Sequence, residues 1–259
     1  MRRAAALCGA VAAALAVMAA VPVAQAAKTC LGRRVTIERG PGDNKIRGTN
    51  GDDVIWAGAG NDIVLGRRGN DRICGGRGND TLRGRNDNDR IDGGRGRDNI
   101  TGKGGRDRLW GGRGNDRING GTRGDRVWGN GGNDRISGGA GRGPDKLDGG
   151  GDGDVIKGNG GPDAIEGGSG GDRMFGGSRA VDGRALPGTG ANDTMSGGGG
   201  KDVAYGDSGS DELSGNSGDD RLFGGADNDA LFGGRADDLT NGGPDVDTCT
   251  SGQEVDCEA

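Results

Sequence analysis

Apolar residues recur with a nine-residue period from Gly48 onward. Written in nines, ten successive units align with one another, from GTNGDDVIW (48–56) to GNGGNDRIS (129–137). Position 8 is Ile, Val or Leu in every unit, position 6 is Asp in every unit, and position 1 is Gly in nine units, with Ala57 as the exception. A unit with one dependable apolar residue cannot bury its own face, so the units must stack on one another as a solenoid.

The nine-residue phase continues to the C-terminal region with two interruptions. Two extra residues precede Asp145, and an inserted loop occupies residues 178–191 before the pattern resumes at Asp193. We count about 21 units over residues 48–250. The sequence therefore predicts one repeat domain over this range, with residues 27–47 and 251–259 as its N-terminal and C-terminal caps.

The unit predicts a turn followed by a short strand. The first six positions are rich in Gly, which readily adopts the positive φ angles of a tight turn, and the last three positions predict a strand of about three residues. Two units complete one coil, so alternate strands form two parallel sheets with the position-8 side chains between them. We predict an all-β fold, a parallel β-roll or two-sheet β-solenoid, with coils about 4.8 Å apart.

The repeated Asp predicts calcium binding. Stacked coils place the position-6 carboxylates of alternate units in a row, where each pair about 5 Å apart repels by about 1 kcal/mol in water. Carboxylate and carbonyl oxygens suit Ca²⁺, whereas a chain without His is a poor site for zinc or copper. One buried aliphatic side chain contributes about 2–3 kcal/mol, against about 9–18 kcal/mol for ordering nine residues. We therefore expect bound Ca²⁺ to complete the folding free energy.

The unit GGRGNDTLR (75–83) resembles the RTX, or haemolysin-type, calcium-binding nonapeptide repeat. The resemblance implies a parallel β-roll in which multiple Ca²⁺ ions lie between successive turns on the same side, held by Asp and by turn carbonyls. Carried onto this chain, it implies that Gly75 and Gly78 shape the turn and that the position-6 aspartates bind the metal. These predicted ligands are Asp53, Asp62, Asp71, Asp80, Asp89, Asp98, Asp107, Asp116, Asp134, Asp154, Asp163, Asp172, Asp193, Asp202, Asp211, Asp220 and Asp229.

Four further position-6 aspartates lie in units that depart from the pattern, and we leave them out of the predicted ligand set. Asp125 follows Arg123 where most units have Gly, and Asp145 follows Pro144 and the two extra residues. Asp238 and Asp247 lie in the last two units, which lack an aliphatic residue at position 8 and predict a cap.

Residues 1–26 predict a cleaved signal peptide, and so a secreted, extracellular protein. A basic start, an apolar stretch and the Ala24-Gln25-Ala26 cleavage pattern succeed one another. The remaining chain has four cysteines, Cys30, Cys74, Cys249 and Cys257. An even number in an exported chain predicts two disulfides with three possible pairings. We favour Cys30–Cys74 and Cys249–Cys257, since each would tie down one end of the roll.

Charge and composition narrow the classes of function. Without the leader, 32 Lys and Arg stand against 39 Asp and Glu, a balance that suggests neither nucleic acid nor a membrane as partner. The absence of His excludes Ser-His-Asp and Cys-His catalysis. Because the repeats leave no segment long enough for a catalytic domain, we expect a protein that is not an enzyme.

One surface pattern lies outside the repeat consensus. Position 7 of alternate units holds Arg72, Arg90, Arg108 and Arg126, and position 9 on the same predicted sheet holds Trp110 and Trp128. One interpretation is a surface of Arg–Asp ion pairs in which the rings stack on Arg stems. The other is a docking face for an anionic or sugar polymer. The sequence thus supports a calcium-dependent scaffold and, alternatively, a module that binds a cell-surface polysaccharide.

Overall fold

The computed structural model describes residues 28–177 and 190–250, together with the backbone of 254–256, and shows a β-roll. A short antiparallel hairpin, β1 (Thr29–Cys30) and β2 (Arg33–Arg34), precedes two sheets of twelve strands each. The odd sheet contains β3 (Ile37–Glu38), β5 (Val54–Ala59), β7 (Arg72–Arg77), β9 (Arg90–Arg95), β11 (Arg108–Arg113), β13 (Arg126–Gly131), β15 (Lys146–Gly151), β17 (Ala164–Ser169), β19 (Thr194–Gly199), β21 (Glu212–Ser217), β23 (Ala230–Arg235) and β25 (Thr248–Thr250). The even sheet contains β4 (Lys45–Arg47), β6 (Ile63–Arg67), β8 (Thr81–Arg85), β10 (Asn99–Gly104), β12 (Arg117–Thr122), β14 (Arg135–Gly139), β16 (Val155–Asn159), β18 (Arg173–Gly177), β20 (Val203–Ser208), β22 (Arg221–Ala226), β24 (Leu239–Asn241) and β26 (Glu254–Asp256).

The two parallel sheets confirm the predicted fold class. Each strand pairs in parallel with the strand two units away, as Leu109 does with Ile91 and Val127. The position-8 side chains form one continuous core between the sheets, and Ile55, Leu82 and Leu231 are fully buried. None of the described residues forms a helix long and apolar enough to cross a membrane.

The strands are longer than the sequence predicted. Typical strands have five or six residues and run from position 7 through position 3 of the next unit, as in β11. The prediction of a three-residue strand and a six-residue turn was therefore wrong. Positions 1 and 2 belong to the strand rather than to the turn. Position 1 faces the interior, where nearly every unit has Gly and Ala57 is likewise buried, and position 2 bends the strand at positive φ, as at Gly112 (φ 111°).

The sheets also extend beyond the counted units. They hold 24 strands, whereas the sequence count was about 21. Ile37 and Ile46, placed in the predicted N-terminal cap, align with Ile55 and Val64 and continue the core. At the other end, the backbone of β26 pairs with β24. The nonapeptide consensus is weak in both segments. Ile37 and Ile46 nevertheless keep the nine-residue phase, whereas Val255 pairs with Thr240 only 15 residues away.

Both interruptions of the repeat leave the stacking intact. The two extra residues before Asp145 stay within one turn, and Val127 pairs with Leu147 in normal register. Across the inserted loop, Ile165 pairs with Met195. Of the predicted insertion, residues 178–189 lie outside the described residues, as does the predicted signal peptide.

A disulfide links the first hairpin to the roll. Cys30 in β1 is bonded to Cys74 in β7, with their Cα atoms 5.9 Å apart. Cys249 is also disulfide-bonded, and Cys257 lies outside the described residues.

Candidate metal centre

The position-6 aspartates form two uninterrupted columns along the roll. In each column, the backbone N–H of one Asp donates a hydrogen bond to Oδ1 of the Asp in the next coil, as from Asp107 to Asp125 at 2.8 Å. The odd column contains Asp53, Asp71, Asp89, Asp107, Asp125, Asp145, Asp163, Asp193, Asp211, Asp229 and Asp247. The even column contains Asp62, Asp80, Asp98, Asp116, Asp134, Asp154, Asp172, Asp202, Asp220 and Asp238.

The carboxylates of these columns lie inside the molecule. Every column Asp from Asp53 to Asp238 is buried, with an exposed fraction between 0 and 6%. Their Oδ1 atoms accept the amide hydrogen bonds, but nineteen of the Oδ2 atoms are buried without any hydrogen-bond partner. An ionised oxygen buried in this way carries a desolvation cost of several kcal/mol. The columns therefore need a compensating proton or cation.

The four aspartates left out of the predicted ligand set occupy the same columns. Asp125, Asp145 and Asp238 are buried, and Asp247 accepts the amide hydrogen bond of Asp229 at 2.8 Å. The irregular turns do not disturb them, because Arg123 also adopts a positive φ (78°), as glycine does at this position in regular units, for example Gly114 (φ 123°). The sequence offered a reason to include these four residues in the ligand set, because the nine-residue pattern of Asp at position 6 continues through their units.

Burial raises the pKa of the column carboxyl groups. The pKa of Asp116 rises to about 7 and that of Asp89 to about 8, chiefly because burial disfavours the charged form. The backbone hydrogen bond to each carboxylate opposes this shift, and neighbouring column carboxylates add to it. Near neutral pH, these carboxyl groups can therefore lose a proton when a metal ion binds.

A second ladder flanks the columns and was not predicted. At position 5, the side-chain oxygen of one residue accepts the backbone N–H of the residue one coil later, as from Asn79 to Asn61 (2.8 Å) and from Arg97 to Asn79 (2.7 Å). The frequent Asn at position 5 was the sequence feature from which this ladder could have been predicted. These ladders hold successive turns together at the exposed edge, next to the carboxylate columns.

The donor set fits a hard divalent cation such as Ca²⁺. The potential metal ligands in each coil are oxygen atoms, and they include the buried Oδ2 atoms that have no hydrogen-bond partner. Among the described residues, three or more acidic, Cys or His side chains never converge as a metal cluster. Since Ca²⁺ takes about six to eight oxygen ligands, carbonyl oxygens of the turns must supply the rest. The Gly197 carbonyl lies close to the Asp172 carboxylate, since both approach the inner side of Gly167.

Glycine at position 1 makes room for the carboxylate, and we expect an added methyl group to disrupt the column. A Cβ on Gly167 would lie 2.6 Å from Oδ2 of Asp172 and 2.7 Å from the Gly197 carbonyl. We predict that Gly167→Ala lowers the free energy of unfolding by about 1–3 kcal/mol, measured by thermal denaturation in Ca²⁺. The control is Gly199→Ala, whose Cβ would lie an ordinary 3.7 Å from Ser217 Oγ. Equal effects of the two substitutions would contradict the steric explanation.

The structure places the Arg and Trp residues in rows on the outer face of the odd sheet. Arg108 is paired in register with Arg90 and Arg126, and Trp110 with Trp128. The predicted Arg–Asp ion pairs are wrong for the described part of the chain, where the ion pairs are Lys28–Glu38 and Lys201–Asp219. The physical reason is the alternation of the strand: the position-6 carboxylates are buried, whereas position 7 faces outward.

The two Trp rings stack on each other rather than on Arg stems. The ring centroids of Trp110 and Trp128 are 5.0 Å apart with an interplanar angle of 5°. A comparable aromatic row, Phe175–Tyr205–Phe223, lies on the even sheet and was not predicted. Because each ring stacks on its neighbour, the ring faces between them are not accessible for stacking with a sugar.

The fold and its inner columns define a calcium-binding β-roll, a structural and non-catalytic type of fold. The family model of the RTX calcium-binding nonapeptide repeat, which represents four copies, matches residues 39–73, 68–100, 75–109, 92–122, 110–143, 148–178, 187–222 and 214–249. The chain therefore belongs to this family, whose repeats imply Ca²⁺ as a partner. No curated protein matches the chain.

Proposed function

We propose that this chain is an exported structural protein whose roll folds when Ca²⁺ binds along the two Asp columns, and that it has no catalytic activity. The observation that carries the proposal is the row of buried Oδ2 atoms without hydrogen-bond partners. Bound Ca²⁺ would supply positive charge at the columns and link successive coils. The chain's own residues arrange the site for Ca²⁺: amide hydrogen bonds orient each carboxylate, and position-1 glycines leave space for it.

Two features support export. The first 26 residues have the order of charges, apolar residues and small residues found in cleaved leaders. The Cys30–Cys74 link is typical of an oxidising compartment outside the cytosol. A scaffold role is supported by the continuity of the repeat, because the two sheets have twelve strands each and both Asp columns continue from coil to coil without a break.

The role of a single column residue can be tested with Asp116→Asn. The substitution keeps an oxygen that can accept the Asp98 amide hydrogen bond but removes a buried negative charge. We expect a higher Ca²⁺ concentration at the folding midpoint at pH 8, by about tenfold or 1.4 kcal/mol. We expect no loss of stability in chelator at pH 5, where the roll should fold without the ion. Circular dichroism measures the first during Ca²⁺ titration and the second during thermal denaturation.

Asp52→Asn provides the matched control for this experiment. Asp52 is exposed at position 5, where other units carry Asn, and accepts the Asn70 amide hydrogen bond at 2.7 Å. Its substitution should leave the midpoint unchanged. If Asp116→Asn destabilised the roll equally with and without Ca²⁺, the column Asp would have only a structural role.

Polymer binding is a second candidate function, favoured by the Arg row. Arg72, Arg90, Arg108 and Arg126 lie side by side on neighbouring strands and form no ion pair among the described residues. The stacked Trp pair supports this function less, since its inner ring faces are already covered. A surface polysaccharide held by Arg side chains is therefore the partner that this face supports.

A further inference from the structure

Burial of the Asp columns separates the charges of this protein into an acidic interior and a basic surface. Residues 28–177 contain 27 Lys and Arg and 22 Asp and Glu. Fourteen of these acidic residues are buried column Asp, which leaves eight on the outside. In residues 190–250 the balance outside the columns is acidic, with six acidic side chains against three basic ones. The overall negative charge therefore conceals a strongly basic surface over the N-terminal two thirds.

The basic residues are concentrated along one row and one cleft. Lys146 extends the position-7 row, since it pairs in register with Arg126. Five cations thus occupy successive strands of the odd sheet, about 4.8 Å apart. Beside the row is a cleft of about 830 Å³, and its cationic lining consists of Arg106, Arg108, Arg123, Arg126, Arg142 and Lys146. A smaller cleft of about 310 Å³ continues the surface towards Arg72 and Arg90.

No acidic side chain neutralises the larger cleft. The acidic residues that line it are Asp107 and Asp125, both 1% exposed, and the Oδ1 atoms of both accept column hydrogen bonds. None of the six cationic side chains forms an ion pair with any part of the chain that the structure describes. At the end of the row, burial and, to a smaller extent, the positive charges of Arg90 and Arg33 lower the pKa of Arg72.

We propose that this row and cleft, formed by Arg108, Arg126, Lys146 and their basic neighbours, bind a linear anionic polysaccharide that carries a carboxylate on every sugar. The inference rests on the polymer-binding candidate function and names its ligand and site. A straight row of cations fits an extended chain, and one charge per sugar repeats at about the strand spacing of 4.8 Å. Each strand of B-DNA has one phosphate per about 3.4 Å of helix axis, which is a poorer match to the strand spacing.

The Trp pair lies beside this site rather than within it. Trp110 pairs with Asp92 on one side, and Trp128 with Asp148 on the other. These acidic neighbours would repel an anionic chain from position 9. The polymer is therefore expected to follow position 7 and the turn edge, where Arg106, Arg123 and Arg142 stand.

The test compares two sets of substitutions in the Ca²⁺-loaded chain without its leader. The first set, Arg108→Gln, Arg126→Gln and Lys146→Gln, removes charges from the row. The second set, Arg117→Gln, Arg135→Gln and Arg173→Gln, removes as many charges from position 7 of the even sheet. Binding of a soluble oligoglucuronate is measured by calorimetry, with an uncharged oligoglucose as ligand control. Circular dichroism with and without Ca²⁺ verifies folding independently.

We expect the first set to weaken binding at least tenfold and the second set to change it less than twofold, with no binding of the uncharged ligand. Equal weakening by both sets would overturn the proposal, because net charge alone would then explain binding. Tighter binding to duplex DNA, or self-association through the acidic C-terminal region without glycan binding, would also overturn it. Each of these results leaves Ca²⁺-dependent folding, and thus the main proposed function, intact. If the triple variant does not fold, Arg126→Gln against Arg135→Gln gives the same comparison.

Discussion

Removal of Ca²⁺ at pH 8 is expected to abolish most of the β-sheet signal of this protein. Each coil gains about 2–3 kcal/mol from each buried aliphatic side chain, far less than the ordering of its backbone costs. The apo roll must in addition bury two columns of carboxylates, nineteen of whose Oδ2 atoms have no partner. Ionised groups buried in this way cost several kcal/mol each, so the unliganded roll should be unstable at a pH where they are charged.

The measurement is far-UV circular dichroism of residues 27–259 in chelator, followed by stepwise addition of Ca²⁺. We expect a coil spectrum in chelator and a cooperative return of β-structure with Ca²⁺. Mg²⁺ is the control, because it retains its water and requires near-octahedral geometry, so it should restore little structure. A full β-sheet spectrum in chelator at pH 8 would show that packing and hydrogen bonding suffice without the ion.

Acid is expected to replace Ca²⁺ as the stabiliser of the roll. The pKa values of the column carboxyl groups are raised in the folded state, to about 6 for Asp71, about 7 for Asp116 and about 8 for Asp163, mainly by burial. An unfolded Asp has a pKa of about 3.9. Between about pH 4 and pH 8 the folded state therefore binds more protons than the unfolded state. The free energy of unfolding consequently decreases as the pH rises through this window.

The protein in chelator should thus regain β-structure when the pH is lowered from 8 towards 5. In excess Ca²⁺ the pH dependence should be much weaker, because the metal keeps the column carboxylates ionised, and Ca²⁺ affinity should decrease at low pH as protons compete for the same oxygens. Circular dichroism and Ca²⁺ titrations at several pH values test both statements. If the chelated protein were more folded at pH 8 than at pH 5, the columns would be stabilised as carboxylates, contrary to this explanation.

The nine-residue period was sufficient to derive the symmetry of the fold. A residue type that recurs every nine positions must recur at equivalent places in each coil, so Ile, Val and Leu at position 8 predicted the core and Asp at position 6 predicted two rows. The register of Arg90, Arg108 and Arg126 follows from the same argument, because residues 18 positions apart lie on adjacent strands. These features depend only on the repeat distance, which can be read without knowing the path of the chain.

Tertiary structure decided where each side chain points within the unit. The period does not reveal that the Asp107 carboxylate is buried, or that Oδ1 of Asp125 receives its amide hydrogen bond. Both depend on glycine at position 1 lying opposite the carboxylate, a contact between residues that only the folded turn brings together. The basic surface likewise follows from which side chains the coil buries, and the ring-on-ring contact of Trp110 and Trp128 is a feature of the folded sheet. Composition gives the numbers of charged and aromatic side chains but not where they point. In the packed coil, the column carboxylates point into the interior and the guanidinium groups point into solvent.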